Sequence, residues 1–242
     1  MANIHMVLQG KGGVGKSFIS SLIAQYMASS GQLPLCVDTD PVNASFLGYK
    51  ALKVRRLEIM EGDEVNTRNF DELVEWIAET KVDMVIDNGA SSFIPLSSYL
   101  VSNAVPGLLQ EMSHQLIIHS VVTGGQALPE TLAGLESLVK WFPDETIFIV
   151  WLNPYWGPII DNGKTFEEMP VYEKYKERIS AIIHLPELKE ETYGKDLTDM
   201  LQARLTFDQA LKMKDLSIMT RQRLKMIQKL VYNQLDLLAK AS

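Results

Sequence analysis

A cluster of glycines and lysines near the N-terminus has the spacing of a phosphate-binding loop. The stretch from Gly10 to Ser17 reads GKGGVGKS and fits the pattern G-x-x-x-x-G-K-[ST]. In such a loop the glycines let backbone N–H groups turn toward phosphate oxygens. We expect Lys16 to reach the β- and γ-phosphates of a nucleotide and the Ser17 hydroxyl to bind Mg²⁺. A glycine-rich turn that arises by chance is disfavoured, because a strand pattern precedes the loop and a helical pattern follows it.

Three aspartates occur where apolar, strand-like runs end. Asp38 and Asp40 follow the run PLCV, and Asp87 follows the run DMVI. Residues just past the carboxyl ends of parallel strands line the ligand crevice of an α/β sheet. Two carboxylates placed two residues apart can divide the work there, one holding a magnesium-bound water and the other orienting an attacking water. The alternative for each aspartate is a solvated turn.

Short apolar runs that alternate with helical patterns must position these residues. The runs predict strands at 4–8, 34–38, 54–59, 82–87, 115–123, 146–152 and 179–185. Apolar residues at helical spacing predict helices at 16–28, from an N-cap at Asn69 to 77, at 127–141 and at 216–239. This alternation predicts an α/β fold, with a mainly parallel twisted sheet and helices on both faces, as a single domain over residues 1–242. The segment 153–170 is either a lid or an ordered surface loop.

The composition and net charge of the chain exclude several classes of protein. Hydrophobic residues make up 46% of the chain and the net charge is −7, which indicates a globular chain and argues against wholesale coating of nucleic acid. No signal peptide is apparent, and no apolar run approaches the ~18 residues of a membrane span. A single cysteine, Cys36, allows no internal disulfide, which fits a cytoplasmic location.

Cysteine and histidine residues give no sign of a metal cluster. A cluster shared across a dimer would need two cysteines from each subunit, and Cys36 alone cannot supply them. The histidines lie in or beside predicted strands without the spacing of ligands on a helix, and we expect them to be structural. They are His5, His114, His119 and His184.

The second lysine of the loop, Lys11, points to a family. KGGVGKS resembles the deviant Walker A motif of the ParA/MinD-type ATPases, which have the P-loop NTPase fold. In that family the first lysine crosses the interface of an ATP-dependent homodimer and contacts the phosphates of the partner's nucleotide. The resemblance implies that Lys11 and Lys16 are catalytic and that nucleotide binding controls dimerisation; the alternative for Lys11 is a solvated loop lysine. The implied loop contacts to ATP or ADP are Gly10, Lys11, Gly12, Gly13, Val14, Gly15, Lys16, Ser17 and Phe18.

The acidic segments also resemble those of the family. DTDP at residues 38–41 resembles the switch I motif DxDP, which implies that Asp38 lies near the metal and that Asp40 is the catalytic residue that positions the water. Asp87 resembles a Walker B aspartate, which the family usually follows with proline and glycine, whereas this chain has Asn88 and then Gly89. The implied magnesium ligands are Ser17, Asp38 and Asp87.

Two later positions resemble residues that recognise the base. Asn153 ends a strand, as the adenine-reading asparagine of the family does, and its amide can donate and accept along the edge of adenine. Pro186 follows the next strand, where the family has a proline that flanks the base. A structural role is the alternative for both residues.

Segments such as LCVDTDPVNASFLGYKAL and VIDNGASSFIPL are similar to transfer-region proteins of conjugative plasmids within this family. That similarity implies a role in plasmid conjugative DNA transfer or positioning, with a protein partner in the conjugation machinery. Two other functions stay open. One is a nucleotide-gated adaptor with little hydrolysis, which Asn88 supports. The other is a P-loop small-molecule kinase or ligase, against which Lys11 argues because such enzymes need no lysine from a partner.

The predicted C-terminal helix has a basic face. In relatives this region binds DNA or a membrane, so non-specific DNA binding is one interpretation and membrane or partner binding is a less favoured one. The third interpretation is a helix that covers the domain and exposes its basic side to solvent. The basic residues are Arg221, Arg223, Lys225 and Lys229.

Overall fold

Alternating strands and helices build the chain, as the sequence predicts. The computed structural model describes residues 1–241, with side chains up to Leu237. In chain order the elements are β1 (Ala2–Val7), α1 (Lys16–Ser29), β2 (Leu35–Asp38), β3 (Arg55–Arg56), β4 (Met60–Glu61), β5 (Glu64–Val65), α2 (Phe70–Glu79), β6 (Met84–Asp87), α3 (Phe93–Ser102), α4 (Val105–Glu111), β7 (His114–Thr123), α5 (Leu128–Trp141), β8 (Ile147–Asn153), β9 (Ile160–Asp161), β10 (Lys164–Thr165), α6 (Pro170–Tyr175), β11 (Ile179–His184), α7 (Lys195–Gln202), α8 (Phe207–Lys212) and α9 (Ile218–Ala241).

Seven of the strands form one sheet, in which every neighbouring pair is parallel. Their order is β11-β8-β7-β1-β6-β2-β3. Val7 lies opposite Asp87, and Asp87 lies opposite Asp38. The carboxyl ends of β1, β6 and β2 are therefore level, and the loops that follow them meet at one edge of the sheet. The predicted fold class, an α/β protein with a parallel sheet, is confirmed.

Each face of the sheet packs against its own layer of helices. Ile86 and Ile118 face a core formed with α2, α3, α4 and α5. Val85 and Trp151 face a second core formed with α1, α7, α8 and α9. Strands of a parallel sheet are buried on both faces, which is why their sequences are continuous apolar runs rather than alternating ones.

The C-terminal helix α9 extends two residues beyond the predicted end and begins two residues later than predicted. The sequence predicts one apolar stripe along this helix, made of Leu224, Ile227, Leu230, Val231, Leu235 and Leu238. Leu224, Ile227, Val231 and Leu235 are buried, as predicted. Leu230 is 51% exposed, contrary to the prediction, and Leu238 lies outside the described side chains. Among residues 1–241, no helix is both long enough and apolar enough to cross a membrane.

A side chain of α9 forms hydrogen bonds with the free edge of the outer strand β11. The Gln234 amide accepts a hydrogen bond from the His184 N–H and donates one to the His184 carbonyl, each at 2.7 Å. At His184 the amide thus occupies the two hydrogen-bonding positions that a neighbouring strand would otherwise fill. The opposite edge strand, β3, contains only Arg55 and Arg56, and both are exposed.

Two helices fill a region for which the sequence predicted none. Helices α3 and α4 lie between β6 and β7, and each has a proline, Pro95 and Pro106, within its first turn. Proline is tolerated there because the first N–H groups of a helix have no partner within the helix. Serine, β-branched residues and proline obscured the helical pattern of this segment.

Two details near α2 differ from the prediction. The strand predicted at 54–59 pairs only at β3, and Leu57 and Ile59 enter the core instead. Asn69 occupies the N-cap position of α2, but its side chain makes no capping hydrogen bond, since its amide donates to the carbonyl of Glu58 at 3.1 Å. The capping side chain is Asn66, which accepts a hydrogen bond from the N–H of Arg68 one turn earlier.

Two of the histidines form a buried hydrogen-bonded chain. The Trp151 indole N–H donates to His119 Nδ1 at 2.9 Å, and His119 Nε2 lies 2.9 Å from His5 Nδ1. Because the indole N–H can only donate, the proton of His119 lies on Nε2 and is donated to His5. Burial lowers the pKa of His5 to about 4. Both rings are neutral near pH 7 and link β1, β7 and β8, in keeping with a structural role.

Candidate nucleotide-binding site

The loop between β1 and α1 has the backbone geometry of a phosphate-binding loop. Gly13 and Gly15 have φ angles of 74° and 100°, in the left-handed region that favours glycine. Gly15 directly precedes Lys16, the first residue of α1, so the loop leads into a helix N-terminus. The partial positive charge of that terminus and the loop N–H groups together favour an anion.

Lys16 lies over its own loop rather than in solvent. Its Nζ donates to the carbonyl of Lys11 at 3.0 Å, and the side chain is buried. Burial lowers the pKa of Lys16, whereas the charges of Asp87 and Asp40 raise it. The predicted phosphate lysine is therefore held between the loop backbone and the acidic residues of the neighbouring strands.

Asp87 has a carboxylate oxygen that lacks a partner. The Ser20 hydroxyl donates to Oδ1 at 2.8 Å, while Oδ2 is buried without a hydrogen bond. Burial, and then the nearby charge of Asp38, raise the pKa of Asp87 to about 7, although Ser17, Ser20 and Lys16 act in the opposite direction. An unpartnered carboxylate oxygen beside a serine hydroxyl fits Mg²⁺, which prefers oxygen ligands and takes further ones from phosphate and water.

Asp38 is already engaged in holding the loop that follows β2. Its Oδ1 accepts from the N–H of Asp40 and its Oδ2 accepts from the N–H of Leu47, both at 2.9 Å. Burial raises the pKa of Asp38, and these backbone hydrogen bonds partly offset that rise. Each oxygen keeps a second lone pair, so a metal contact through water stays compatible with the predicted role.

Asp40 lies where the segment after β2 meets the segment after β6. Its Oδ1 accepts from the N–H groups of Val42 and Asn43, at 2.9 and 3.0 Å, and so closes a turn. A Cβ added to Gly89 would lie 2.7 Å from Asp40 Oδ1 and 3.1 Å from Asp40 Cα. The glycine after Asn88 is thus required for the close approach of Asp40.

Asn88 replaces the proline of the family motif with a hydrogen-bonding centre. Its Oδ1 accepts from the hydroxyls of Thr39 and Ser92, at 3.1 and 2.8 Å, and its Nδ2 donates to the carbonyl of Gly89 at 2.9 Å. These contacts connect the end of β2 to the start of α3. The turn after Asp87 is therefore fixed by a side-chain amide instead of by a proline ring.

Lys11 forms an ion pair within its own chain. Its Nζ lies 2.9 Å from Oε1 of Glu130, near the N-terminus of α5. The two side chains are 37% and 60% exposed, and exposed pairs of this kind typically contribute about 0–1 kcal/mol. No pattern in the sequence selects Glu130 as the partner, because Glu130 is one of many surface carboxylates.

Asn153, the residue predicted to read the base, contacts the phosphate loop. Its Nδ2 donates to the carbonyl of Val14 at 2.9 Å, and a Cβ at Gly15 would lie 2.9 Å from the same nitrogen. Pro186 lies one strand further out, half-buried after β11. Phe18 is half-buried on α1, and its side chain packs against the second core.

Gln9 is a site residue that the sequence analysis missed. Its Nε2 donates to the carbonyls of Val121 and Thr131, at 2.8 and 3.0 Å, and its Oε1 accepts from the N–H of Gly10. This buried amide ties the first residue of the phosphate loop to β7 and α5. A glutamine directly between an apolar strand and a glycine-rich loop was the available signal.

The two arginines of the basic helix are held by contacts within the chain. Arg221 donates to the carbonyl of Met213 at 2.8 Å, and Arg223 is paired with Asp196 where both side chains are mostly buried. Lys225 and Lys229 are exposed. These contacts favour the structural interpretation of the arginines over the predicted DNA contact.

The raised pKa of Asp87 predicts a pH-dependent stability. Above about pH 7 the folded chain holds a buried carboxylate that the unfolded chain exposes to water, whereas at pH values below 3.8 both states are protonated. The group therefore lowers stability at high pH, and this cost vanishes as the pH falls. For Asp87→Asn we expect the free energy of unfolding without nucleotide to rise by up to roughly 4 kcal/mol at pH 8, with little gain near pH 4.

Denaturant unfolding at both pH values measures this difference. Asp63→Asn is the matched control, because Asp63 is exposed on the turn between β4 and β5 and its substitution should change neither value. Equal stabilities of Asp87→Asn and the unsubstituted protein at pH 8 would show that the Asp87 charge is already compensated.

The fold and this site define a class of protein. The chain belongs to the CobQ/CobB/MinD/ParA nucleotide binding domain family, whose sequence profile matches residues 5–237. Two Escherichia coli relatives, both named Protein TraL, are 66% and 63% identical to it over 236 residues, with 98% of each chain covered. The predicted family and its branch are thereby confirmed.

Solved structures of low sequence identity share the fold. A chain of the MinC:MinD cell division protein complex from Aquifex aeolicus aligns with a TM-score of 0.53 and 14% identity, covering 94% of this chain and 96% of that one. The MinD cell division protein of Aquifex aeolicus aligns with a TM-score of 0.51 and 15% identity, with the same coverage. These similarities support the P-loop NTPase fold and carry no detail of the site.

Proposed function

We propose that the chain is a single-domain, Mg-dependent ATPase of the ParA/MinD type that dimerises around ATP and hydrolyses it slowly. The observation that carries the proposal is the placement of Lys16 and Ser17, at the end of a phosphate-loop backbone, beside the unpartnered buried oxygen of Asp87. A magnesium nucleotide would satisfy all three groups at once. Its metal would withdraw charge from the γ-phosphate and stabilise the leaving group.

The residues of the chain divide the remaining work of hydrolysis. The loop N–H groups and Lys16 would bind the phosphates, Ser17 and Asp87 would hold the metal, and Asp38 would support it through water. Asp40 orients the attacking water for in-line displacement at the γ-phosphate. Positioning and electrostatic stabilisation of this kind account for most of the catalysis of phosphoryl transfer.

Dimerisation would complete the site through Lys11. In one subunit Lys11 is paired with Glu130 at the surface, and breaking an exposed pair costs at most about 1 kcal/mol. The lysine is therefore available to cross to the nucleotide of a partner, where its charge would stabilise the transition state as an arginine finger does. Hydrolysis would then require assembly.

We propose that this switch acts in plasmid conjugation, and the names of two relatives support that role. Both are named Protein TraL, and their identity to this chain exceeds 60% over almost the full length. We propose that ATP-dependent dimerisation in the cytoplasm controls the affinity for a protein partner of the conjugation machinery. Arg221 and Arg223 lend no support to DNA binding, because both contact other parts of the chain.

Substitution of Asp40 tests the hydrolytic role. We expect Asp40→Ala to retain ATP binding, to slow turnover by about 10²-fold or more and to accumulate the dimer, because the carboxylate acts on water rather than on phosphate. Turnover at saturating ATP, calorimetric binding and size-exclusion chromatography with ATP measure these effects.

Asp40→Asn is the matched control for the turn that Asp40 closes. Asparagine keeps the oxygen that accepts from Val42 and Asn43 but lacks the charge. Slow turnover in both variants supports the role in orienting water. Normal turnover in Asp40→Asn would assign the effect of Asp40→Ala to the loss of the turn.

One observation favours an adaptor with little hydrolysis as a second candidate. The hydrogen bonds of Asn88 join the segment after β2 to the start of α3, which stiffens the two segments that would have to move around the γ-phosphate. Turnover measured with and without conjugation proteins separates the candidates. ATP-dependent dimers without turnover under either condition would favour the adaptor.

A further inference from the structure

The turn that follows β8 contacts the phosphate loop at two consecutive carbonyl groups. The Trp156 indole N–H donates to the carbonyl of Gly13 at 3.1 Å, and the Asn153 amide donates to that of Val14 at 2.9 Å. Trp156 makes this contact while 57% of its surface is exposed. Its position is therefore set by a polar contact with the loop more than by burial in a core.

This turn is itself held firmly. Asn153 accepts from the N–H of Tyr155 at 3.2 Å through Oδ1, and its carbonyl accepts from the Thr123 hydroxyl at 2.7 Å. Behind it, a Cβ on Gly124 would lie 2.2 Å from the carbonyl oxygen of Gly157, so only glycine admits the turn at this distance. Trp156 is thus carried by a backbone that is fixed from two sides.

The two contacts determine which way the loop N–H groups point. In a trans peptide the carbonyl and the following N–H are directed to opposite sides. Because the carbonyls of Gly13 and Val14 point to Trp156 and Asn153, the N–H groups of Val14 and Gly15 point away from this turn. Successive N–H groups on one side of a loop form the concavity that binds phosphate.

We propose that Trp156 is a positioning residue for the phosphate chain of the nucleotide. Its indole N–H holds the peptide between Gly13 and Val14 in the orientation that presents the Val14 N–H to a phosphate oxygen. The inference rests on the proposed nucleotide function and assigns a part of that site to a residue outside the loop motif. The proposed role concerns only the phosphates and does not involve the base of the nucleotide.

Calorimetric titration of Trp156→Phe with ATP and with inorganic tripolyphosphate tests the role. Phenylalanine keeps an aromatic ring and removes only the donor, and the net contribution of one hydrogen bond corresponds to about threefold to tenfold weaker binding. We expect that loss for both ligands, with an unchanged thermal unfolding midpoint in their absence. Tyr155→Phe is the matched control, since Tyr155 is the neighbouring, 69% exposed aromatic residue, and it should bind both ligands as the unsubstituted protein does.

Other results would overturn the inference in distinct ways. Loss for ATP alone, or failure of the unsubstituted protein to bind tripolyphosphate, would show that the base dominates. Equal affinities of Trp156→Phe and the unsubstituted protein would remove any role for the indole. An unsubstituted protein that binds neither ligand would instead refute the proposed nucleotide function, and the inference with it.

A second variant covers the case in which Trp156→Phe is less stable. Gly124→Ala places a methyl group against the carbonyl oxygens of Gly157 and Pro158, which must displace the turn. The substitution alters no side chain of the turn or of the phosphate loop. We expect the same weaker binding of both ligands, and unchanged affinities in a folded Gly124→Ala protein would count against the role of the turn.

Discussion

Lys16→Ala is expected to abolish measurable nucleotide binding, with a dissociation constant raised by about two to three orders of magnitude. The side chain is buried over the loop, so its charge would meet the phosphates with little competition from water. Loss of one partner from a desolvated charge pair typically costs about 2–5 kcal/mol. The glycines and the helix N-terminus would remain, but they carry only partial charges.

Calorimetric titration with ATP and with ADP measures this effect. Lys50→Ala serves as the matched control, because Lys50 is an exposed lysine on a short helical turn and its removal should leave both affinities unchanged. Far-ultraviolet circular dichroism establishes that Lys16→Ala is folded. A folded variant that still binds ATP normally would remove Lys16 from the phosphate site.

The second large effect is expected when two inactive variants are mixed. Lys11→Ala alone should bind ATP, because Lys16, Ser17 and the loop backbone are intact, yet its turnover should no longer rise with protein concentration. Asp40→Ala should be inactive for a different reason. In a heterodimer of the two, the Lys11→Ala subunit keeps its own Asp40 and receives Lys11 from its partner, so one of the two sites is complete.

Recovery on mixing distinguishes a lysine that acts across the interface from one that acts within its own subunit. If subunits pair at random, half of the dimers are mixed and each has one working site, so an equimolar mixture should reach about a quarter of the unsubstituted rate. The control mixes Lys11→Ala with the double variant Lys11→Ala, Asp40→Ala, which restores no site. Absence of recovery, with mixed dimers shown to form, would assign Lys11 to its own subunit.

The parts of the site that could be predicted from the sequence are those set by local patterns. The phosphate loop requires glycine at positive φ, a strand before it and a helix after it, and all three leave a continuous signature around Gly13 and Gly15. Asp38 and Asp87 were found for a similar reason, because each ends a buried apolar run. The level ends of their strands then bring them together.

The contacts that were missed join residues far apart in the chain. Glu130 is 119 positions from Lys11, and Trp156 is 143 positions from Gly13, so their pairing depends on the order of strands in the sheet. The sequence predicted that the strands are parallel without predicting that β7 and β8 lie beside β1 on one side. Without that order, no surface carboxylate or exposed aromatic residue could be assigned to the loop.

The two hydrogen bonds between Gln234 and the backbone of β11 have a consequence for the behaviour of the protein at high concentration. An open strand edge invites β-augmentation, in which another chain extends the sheet and aggregation can follow. Here the edge strand β11 is hydrogen-bonded at His184 by a side-chain amide, and the opposite edge strand, β3, has only two residues, both arginine. A protein proposed to meet copies of itself through the phosphate-loop face thus has one edge strand blocked at its carboxyl end and another that is only two residues long.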